Sequence, residues 1–148
     1  MPETIRAGMI GLDTSHCGAF AKIFGEHPEW GVRVTAAYPS FSPDVESSAG
    51  RIEQYKKLLS ETHHVKLVES IEQLLESSDV IMIESVDGRR HLKELKAVAT
   101  AGKPTFVDKP FAASLADAKE MVRIIKEHKL PCFSSSSLRF DSAFQGVL

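Results

Sequence analysis

The chain of 148 residues is long enough to bury a hydrophobic core and short enough to form one domain. Hydrophobic residues make up 43% of it and charged residues 26%, which is ordinary for a globular protein. The net charge of −2 and the scattered basic residues give no reason to expect nucleic acid or a membrane surface as a partner. Two cysteines, no leader pattern and no apolar run of membrane-spanning length predict a cytoplasmic protein.

Short apolar segments alternate with segments of helical periodicity from end to end. Several of the apolar segments are continuous, which is typical of parallel strands covered on both faces. The predicted strands are Arg6–Gly11, Val32–Tyr38, Val65–Val68, Val80–Ser85, Thr105–Asp108 and Cys132–Ser135. Alternation of these strands with helices predicts an α/β fold with one doubly wound parallel sheet, a Rossmann-like domain.

The helical segments carry their own start and stop signals. Ser70 with Gln73 has the spacing of a capping box, and Ser114 with Asp117 repeats the pattern. Gly102 is placed to end the helix before the fifth strand. These signals support the predicted alternation.

In a doubly wound sheet the ligand binds outside the carboxyl ends of the strands. The loops expected at that edge are 11–16, 38–42, 85–91, 108–111 and 134–139. Their polar residues exceed what a structural rim needs, and include Asp13, Ser40, Asp87, His91 and Lys109. We therefore expect the functional site at this edge.

The loop after the first strand, GLDTSH, departs from the G-x-G-x-x-G sequence of dinucleotide-binding proteins. Gly11 matches the first glycine, but Asp13 and His16 stand in the other two places. A carboxylate about 4 Å from a phosphate opposes binding by up to ~4 kcal/mol at an effective dielectric of about 20. Either Asp13 turns away and the phosphate lies over Thr14 and Ser15, or a cation nearby offsets the charge of Asp13, or the loop caps itself and binds nothing.

The end of the second strand gives a further indication. NAD-binding domains usually place an acidic residue there to bind the adenosine ribose. This chain has Tyr38, Pro39 and Ser40 instead, and a serine tolerates a 2′-phosphate. The cofactor is therefore expected to be NAD or NADP, with a proline-stiffened loop that binds no ligand as the alternative.

Three stretches follow one another in the second half of the chain: SSDVIMIESVDGRRHLKELKAVATAGKP, FVDKPF and LPCFSSSSLRF. They resemble, in that order, three features of the Gfo/Idh/MocA oxidoreductases, such as glucose-fructose oxidoreductase and inositol dehydrogenase. The first resembles that family's fourth strand, crevice loop and histidine-headed helix. The second resembles its Glu-Lys-Pro motif, and the third its sixth strand and the Arg-Phe that opens a second domain. The resemblance extends over the whole chain.

The resemblance implies an NAD(P)-dependent oxidoreductase. Its reaction is hydride transfer between the nicotinamide and a hydroxyl-bearing carbon of a sugar, polyol or similar small molecule. By position, Lys109 matches the lysine near the nicotinamide and the reacting hydroxyl, and it is the expected catalytic residue; a strand-end surface lysine is the alternative. Asp108 replaces the usual glutamate, and Pro110 matches the proline.

The expected cofactor contacts follow from the resemblance to this family and from the loops at the carboxyl ends of the strands. Ser85 and Asp87 stand where the family has Thr-Pro-Asn-like residues, and His91 matches its helix-start histidine, for which packing is an equal alternative. The expected cofactor-binding residues are Gly11, Asp13, Thr14, Ser15, His16, Ser40, Ser85, Asp87, His91, Asp108, Lys109 and Pro110.

The resemblance also implies a domain organisation. Residues 1–138 are expected to form the Rossmann-like dinucleotide-binding domain, and residues 139–148 the start of the connection to a C-terminal substrate domain. The chain is then a fragment that is inactive alone, or a single-domain relative. Any homo-oligomer is expected to form through the missing domain. A second hypothesis is a non-catalytic domain of the same fold that binds another small ligand or a protein partner.

Two weaker candidates involve cysteine and histidine. Cys17, beside His16 at a helix N-terminus, is either a thiol of lowered pKa or a buried small hydrophobic residue. His63 and His64 lack a third ligand at metal-binding spacing, so no metal site is expected.

Overall fold

A computed structural model describes residues 4–146 of the chain. The first three residues of the expected domain and residues 147–148 of the expected connection lie outside the described residues. All strand pairs are parallel, in the order β3-β2-β1-β4-β5-β6. The strands are β1 (Ile5–Ile10), β2 (Val32–Tyr38), β3 (Lys66–Leu67), β4 (Val80–Ile83), β5 (Thr105–Val107) and β6 (Cys132–Ser134). This topology confirms the predicted doubly wound, Rossmann-like sheet.

Helices connect the strands. They are α1 (Ser15–Glu26), α2 (Glu46–Ala49), α3 (Ile52–Lys57), α4 (Ile71–Ser77), α5 (Gly88–Ala99), α6 (Leu115–Glu127) and α7 (Ser142–Gln145). A π-helical turn extends α3, and 3-10 turns follow α1 and β6. None of the helices within residues 4–146 has the length and apolar character needed to cross a bilayer.

The sheet separates two apolar cores, because successive strand residues point to opposite faces. One core lies under α1 and α3 and includes Met9, Leu12, Cys17, Ala21, Val34, Ile52 and Leu59. The other lies under α4, α5 and α6 and includes Ile10, Leu74, Ile81, Ile83, Leu95, Val98, Met121 and Ile124. With both faces covered by helices, the continuous apolar strands of the sequence have a physical explanation.

Most strands are shorter than their predicted lengths. Glu84 and Asp108 follow β4 and β5 rather than lying within them. Each still donates one backbone hydrogen bond to a neighbouring strand, Glu84 to Ile10 at 2.7 Å and Asp108 to Ile83 at 2.9 Å. The side chains of these two residues therefore stand at the last position of the sheet before the loops begin.

Two of the predicted helix starts are confirmed by their caps. The Ser70 hydroxyl accepts a hydrogen bond from Gln73 N at 3.2 Å, and Ser114 accepts one from Asp117 N at 3.0 Å. The Gln73 side chain accepts from Glu69 N, one residue before the expected partner. The helix before β5 ends near Gly102, which has a φ of 64°.

Gly11 makes the turn from β1 toward α1. Its φ is +94°, a conformation that L side chains rarely adopt. A Cβ at this position would lie 2.3 Å from the backbone nitrogen of Ser85. The glycine therefore lets the loop after β1 press against the loop after β4, and this contact assembles the edge described below.

We expect Gly11→Ala to destabilise the protein by at least about 2 kcal/mol, because it combines backbone strain with a clash against backbone atoms. Gly25→Ala is the matched control: Gly25 lies in α1 with open space around its Cα, so alanine should gain up to about 1 kcal/mol of helix propensity. Urea denaturation of the two variants measures both changes. Equal stabilities for the Gly11 variant and the wild type would contradict the role assigned to the turn.

Candidate functional site

Asp13 is buried, and its carboxylate is hydrogen-bonded to residues outside α1. One carboxylate oxygen accepts a hydrogen bond from Ser48 Oγ at 2.6 Å, and the other accepts one from Val86 N at 3.1 Å. The N-cap of α1 is Thr14, whose hydroxyl accepts from His16 N at 3.3 Å. The Asp13 carboxylate is therefore engaged by Ser48 and Val86, and Thr14 rather than Asp13 caps the helix. This geometry is compatible both with a phosphate over Thr14 and Ser15 and with a self-capped loop that binds none.

The loops after β1 and β2 lie against each other through their backbones. Gly11 N donates to Tyr38 O at 3.2 Å, and Leu12 N donates to Ser40 O at 3.3 Å. The Ser40 side chain is 3% exposed. Ser40 therefore sits behind the first loop rather than at an open surface.

Glu94 of α5 joins two of the predicted site residues. Its Oε1 accepts hydrogen bonds from Ser40 Oγ at 2.5 Å and from Ser85 Oγ at 2.8 Å. Arg90 Nε donates to the same oxygen at 3.2 Å and to Ser40 Oγ at 2.9 Å. The hydroxyls of both serines are thus committed to a carboxylate. The sequence analysis missed Glu94, because it considered only the apolar residues of the helix in which Glu94 lies.

Asp87 caps α5. Its Oδ1 accepts from Arg89 N at 2.9 Å, and its Oδ2 accepts from Ser42 Oγ at 2.6 Å. The Arg89 guanidinium lies 2.7 Å from Asp87 and 2.9 Å from Asp44. Hydrogen bonding from this guanidinium holds the pKa of the Asp87 carboxyl well below its usual range. Asp87, which the sequence predicts to contact the cofactor, therefore forms the N-cap of α5.

His91 is fully buried at the first turns of α5. Its Nε2 lies 2.6 Å from the Ser85 carbonyl oxygen, and its Nδ1 lies 3.3 Å from that of Phe111. The short contact places the proton on Nε2, which donates to Ser85. The His91 ring therefore connects the loop after β4 with the loop after β5. These contacts explain its burial by a packing role.

His16, Glu84 and Asp108 meet where β1, β4 and β5 end. His16 Nδ1 lies 2.6 Å from Asp108 Oδ2, and one ligand atom from each residue lies within 4.8 Å of the other two. Among residues 4–146 these three form the one cluster of side chains able to hold a metal ion. The sequence predicted two members of this cluster as cofactor contacts, but no metal site.

Glu84 was not predicted as a site residue. It is fully buried, and neither carboxylate oxygen has a hydrogen-bond partner among the described residues. Burial first and the Asp108 carboxylate second raise the pKa of this carboxyl to about 9, and the Lys109 ammonium opposes the rise. The available signal was a glutamate directly after the apolar run VIMI.

Lys109 and Pro110 are exposed directly after Asp108. The Lys109 ammonium has no hydrogen-bond or ion-pair partner within residues 4–146, although its charge reaches Glu84. Ser15 is also exposed, at the first position of α1. The predicted site residues that are exposed to solvent therefore belong to the β1 and β5 loops.

The proposed thiol of lowered pKa at Cys17 is wrong. Cys17 is fully buried, and its Sγ donates to Thr14 O at 2.8 Å. Burial raises the pKa of this thiol to about 12. Cys17 is a small hydrophobic core residue, the other interpretation of the sequence.

A cavity of about 270 Å³ lies on the α1 face of the sheet. Its lining is almost entirely apolar and includes Phe20, Phe24, Phe106 and Phe133. None of the predicted site residues lines it. The polar chemistry of the domain is thus concentrated at the carboxyl edge, outside this cavity.

The chain is similar to known proteins both in sequence and in structure. The sequence model of the Gfo/Idh/MocA oxidoreductase family, with its NAD-binding Rossmann fold, matches residues 5–136. The uncharacterized oxidoreductase YhhX of Escherichia coli (strain K12) is 30% identical over 82 residues, which cover 55% of this chain and 24% of that protein.

Two solved structures illustrate the similarity of fold. The WlbA dehydrogenase from Bordetella pertussis, in complex with NADH and UDP-GlcNAcA, matches with a TM-score of 0.76 and 17% identity over 98% of this chain and 41% of that one. An oxidoreductase from Agrobacterium radiobacter, in complex with NAD+, L-tartaric acid and magnesium, matches with a TM-score of 0.67 and 20% identity over 97% and 38%. The chain thus spans about two fifths of the length of these structures.

We expect the Cys17 thiol to resist alkylation in the native protein. With a pKa of about 12, on the order of one thiol in ten thousand is ionised at pH 8, and the side chain is inaccessible as well. A Cys132→Ala variant isolates Cys17, and mass spectrometry after iodoacetamide treatment measures its labelling. Modification is expected only after denaturation; rapid labelling of the folded variant at pH 8 would contradict the assignment.

Proposed function

Since the chain belongs to the Gfo/Idh/MocA oxidoreductase family and matches its NAD-binding Rossmann domain, we propose that it is the cofactor-binding part of an NAD-dependent oxidoreductase. The proposed reaction is hydride transfer to or from a hydroxyl-bearing carbon of a sugar, polyol or similar small molecule. The observation that carries the proposal is the Lys109 ammonium after β5, which has no hydrogen-bond or ion-pair partner in the described part of the chain. It lies at the same edge as the Gly11 turn and the start of α1.

The loop after β1 can accept the pyrophosphate of a dinucleotide because of how the Asp13 carboxylate is bound. Asp13 stands where a glycine would approach the pyrophosphate, but its carboxylate is buried and accepts from Ser48 and Val86. Its carboxylate therefore does not occupy the first N–H groups of α1, which remain the groups that a phosphate would use. Gly11, Thr14 and Ser15 are the proposed phosphate-side residues.

Lys109 is the proposed catalytic residue. The bound nicotinamide would supply the hydride acceptor. The exposed ammonium of Lys109 donates a hydrogen bond to the substrate oxygen and stabilises the negative charge that this oxygen carries once its proton has passed to a base, which we place in the second domain. The hydride then passes from the carbon to the nicotinamide, and the oxygen becomes a carbonyl. Asp108 sits beside it with its carboxylate held by His16, so the neighbouring anion does not tie up the lysine.

We propose NAD rather than NADP as the cofactor. A 2′-phosphate would lie near Ser40, whose hydroxyl donates to Glu94. The neighbouring Arg90 guanidinium is already paired with that carboxylate, so it is not a free cation for a second phosphate. The Arg90–Glu94 ion pair has no net charge, so it attracts the dianionic 2′-phosphate only weakly.

The substrate and the remaining machinery are proposed to belong to a second domain. The residues after β6 turn through Ser137–Phe140 into α7, consistent with a connection that begins near residue 139. A homo-oligomer would form through that domain. Because the WlbA structure contains a nucleotide-linked sugar, sugar nucleotides join free sugars and polyols as candidate substrates.

One feature favours a second candidate function, a non-catalytic domain that binds another small ligand or a protein. The β1 and β2 loops are closed on each other by backbone hydrogen bonds, and Ser40 and Ser85 are committed to Glu94. Because of these contacts, few hydrogen-bonding groups remain to bind the adenosine half of a dinucleotide at the end of β2. Direct cofactor titration distinguishes the two functions.

We expect NADH to bind at least about tenfold more tightly than NADPH, a difference of about 1.4 kcal/mol. The reason is that the Arg90 guanidinium beside Ser40 is already paired with Glu94. Nicotinamide fluorescence, with each cofactor titrated at equal ionic strength, measures both affinities. Tighter NADPH binding would contradict the cofactor assignment, and no binding of either would favour the non-catalytic function.

We expect Lys109→Ala to lower turnover by about two orders of magnitude, the usual effect of losing one acid–base group. The assay follows NADH formation by the complete protein with a panel of polyols, sugars and UDP-sugars. Lys119→Ala, an exposed lysine on α6, is the matched control and should leave turnover unchanged. Both variants should keep the wild-type melting temperature; unfolding of the Lys109 variant would show a structural role instead.

A further inference from the structure

Glu84 poses a physical problem that nothing else in the domain solves. Its carboxylate is fully buried at the end of β4, and both oxygens lack a hydrogen-bond partner among the described residues. An unpaired buried carboxylate is strongly disfavoured, and each such group in a native protein requires an explanation. The position of this side chain therefore points to a partner outside residues 4–146.

The neighbours of Glu84 identify the kind of partner. One ligand atom each of Glu84, Asp108 and His16 lies within 4.8 Å of the other two. Asp108 is 4% exposed and its carboxylate faces the imidazole at 2.6 Å. A protonated Glu84 would leave its hydroxyl and carbonyl oxygen without partners, and ionisation of both carboxyls would set two negative charges against at most one imidazolium. A divalent cation with a neutral imidazole balances both.

The spacing is compatible with a metal ion. Ligand atoms about 2.0–2.1 Å from a tetrahedral zinc lie about 3.3 Å apart. The His16–Asp108 pair at 2.6 Å would open slightly, and Glu84 would move inward by about 1.5 Å or less, which side-chain rotation allows. All three residues project from the ends of a packed sheet or the start of α1, so their relative positions are fixed by the fold.

We propose that His16, Glu84 and Asp108 form a binding site for one divalent transition-metal ion, of the Zn²⁺ class. An imidazole with two carboxylates suits such ions better than Mg²⁺ or Ca²⁺, which prefer oxygen ligands alone. The buried carboxylates close the site from below. The His16 side chain is 37% exposed, so the fourth coordination position opens toward the crevice, where a water or a ligand oxygen can bind.

The test is a zinc titration of the protein after it has been stripped with a chelator. Calorimetry with Zn²⁺ should give one equivalent per chain, and Co²⁺ should give a visible absorption band typical of low coordination number. Millimolar Mg²⁺ should not displace the zinc. Absence of a stoichiometric site, or displacement by Mg²⁺, would overturn the proposal.

The variants locate the site. Glu84→Gln preserves shape and removes the charge, and His16→Ala changes a part-exposed side chain in the first turn of α1. Each should weaken zinc binding by at least about 100-fold, more than the loss of an outer hydrogen-bond partner usually costs. The matched control is the double variant His63→Ala/His64→Ala, which should bind as the wild type does.

Circular dichroism confirms that each variant is folded before titration, and His16→Ala decides the outcome if Glu84→Gln is not. Wild-type affinity in the folded site variants would overturn the proposal. So would loss of binding in the His63/His64 control, which would identify the zinc site as an adventitious surface pair.

Discussion

The carboxyl edge of the sheet is governed by the need of each buried carboxylate for a partner. Asp13 is satisfied by a serine hydroxyl and a backbone N–H. Glu94 Oε1 accepts from two serines and an arginine, whereas its buried Oε2 has no partner among the described residues. Asp108 is satisfied by His16, whereas Glu84 has no partner among the described residues. Because a buried charge is costly when unpaired, these pairings fix which groups remain free to meet a ligand. They are what distinguishes this edge from a generic strand-to-helix crevice.

The fold could be predicted from the sequence, because strand and helix periodicities, caps and turn glycines all agree. The site was predicted only in part. The strand ends located Asp108 and Lys109, but the pairing of Ser40 and Ser85 with Glu94 is a contact between distant segments that no local pattern encodes. Glu84 was passed over because it was counted within an apolar strand, although its charge marks the end of that strand.

The question raised by Asp13 has a geometric answer. A repulsion of up to ~4 kcal/mol applies to a carboxylate about 4 Å from a phosphate in a poorly screened site. Here the carboxylate is turned into the protein and linked to Ser48 and Val86, so the acid serves to hold loops together. An acid in a glycine position therefore does not by itself exclude an anionic ligand. The orientation of the side chain decides, and the residue type alone does not reveal it.

The dinucleotide and the metal ion are linked through the net charge of this edge. Without a cation, Glu84 and Asp108 place negative charge or protonated carboxyls beside the first turn of α1, close to where a diphosphate would lie. A divalent ion would neutralise both carboxylates and leave Lys109 as an unopposed positive charge facing the crevice. The two proposals are thus independent in their tests yet compatible in their electrostatics. The departures of this loop from a glycine-rich sequence supply His16, the one imidazole ligand that a glycine at that position would have removed.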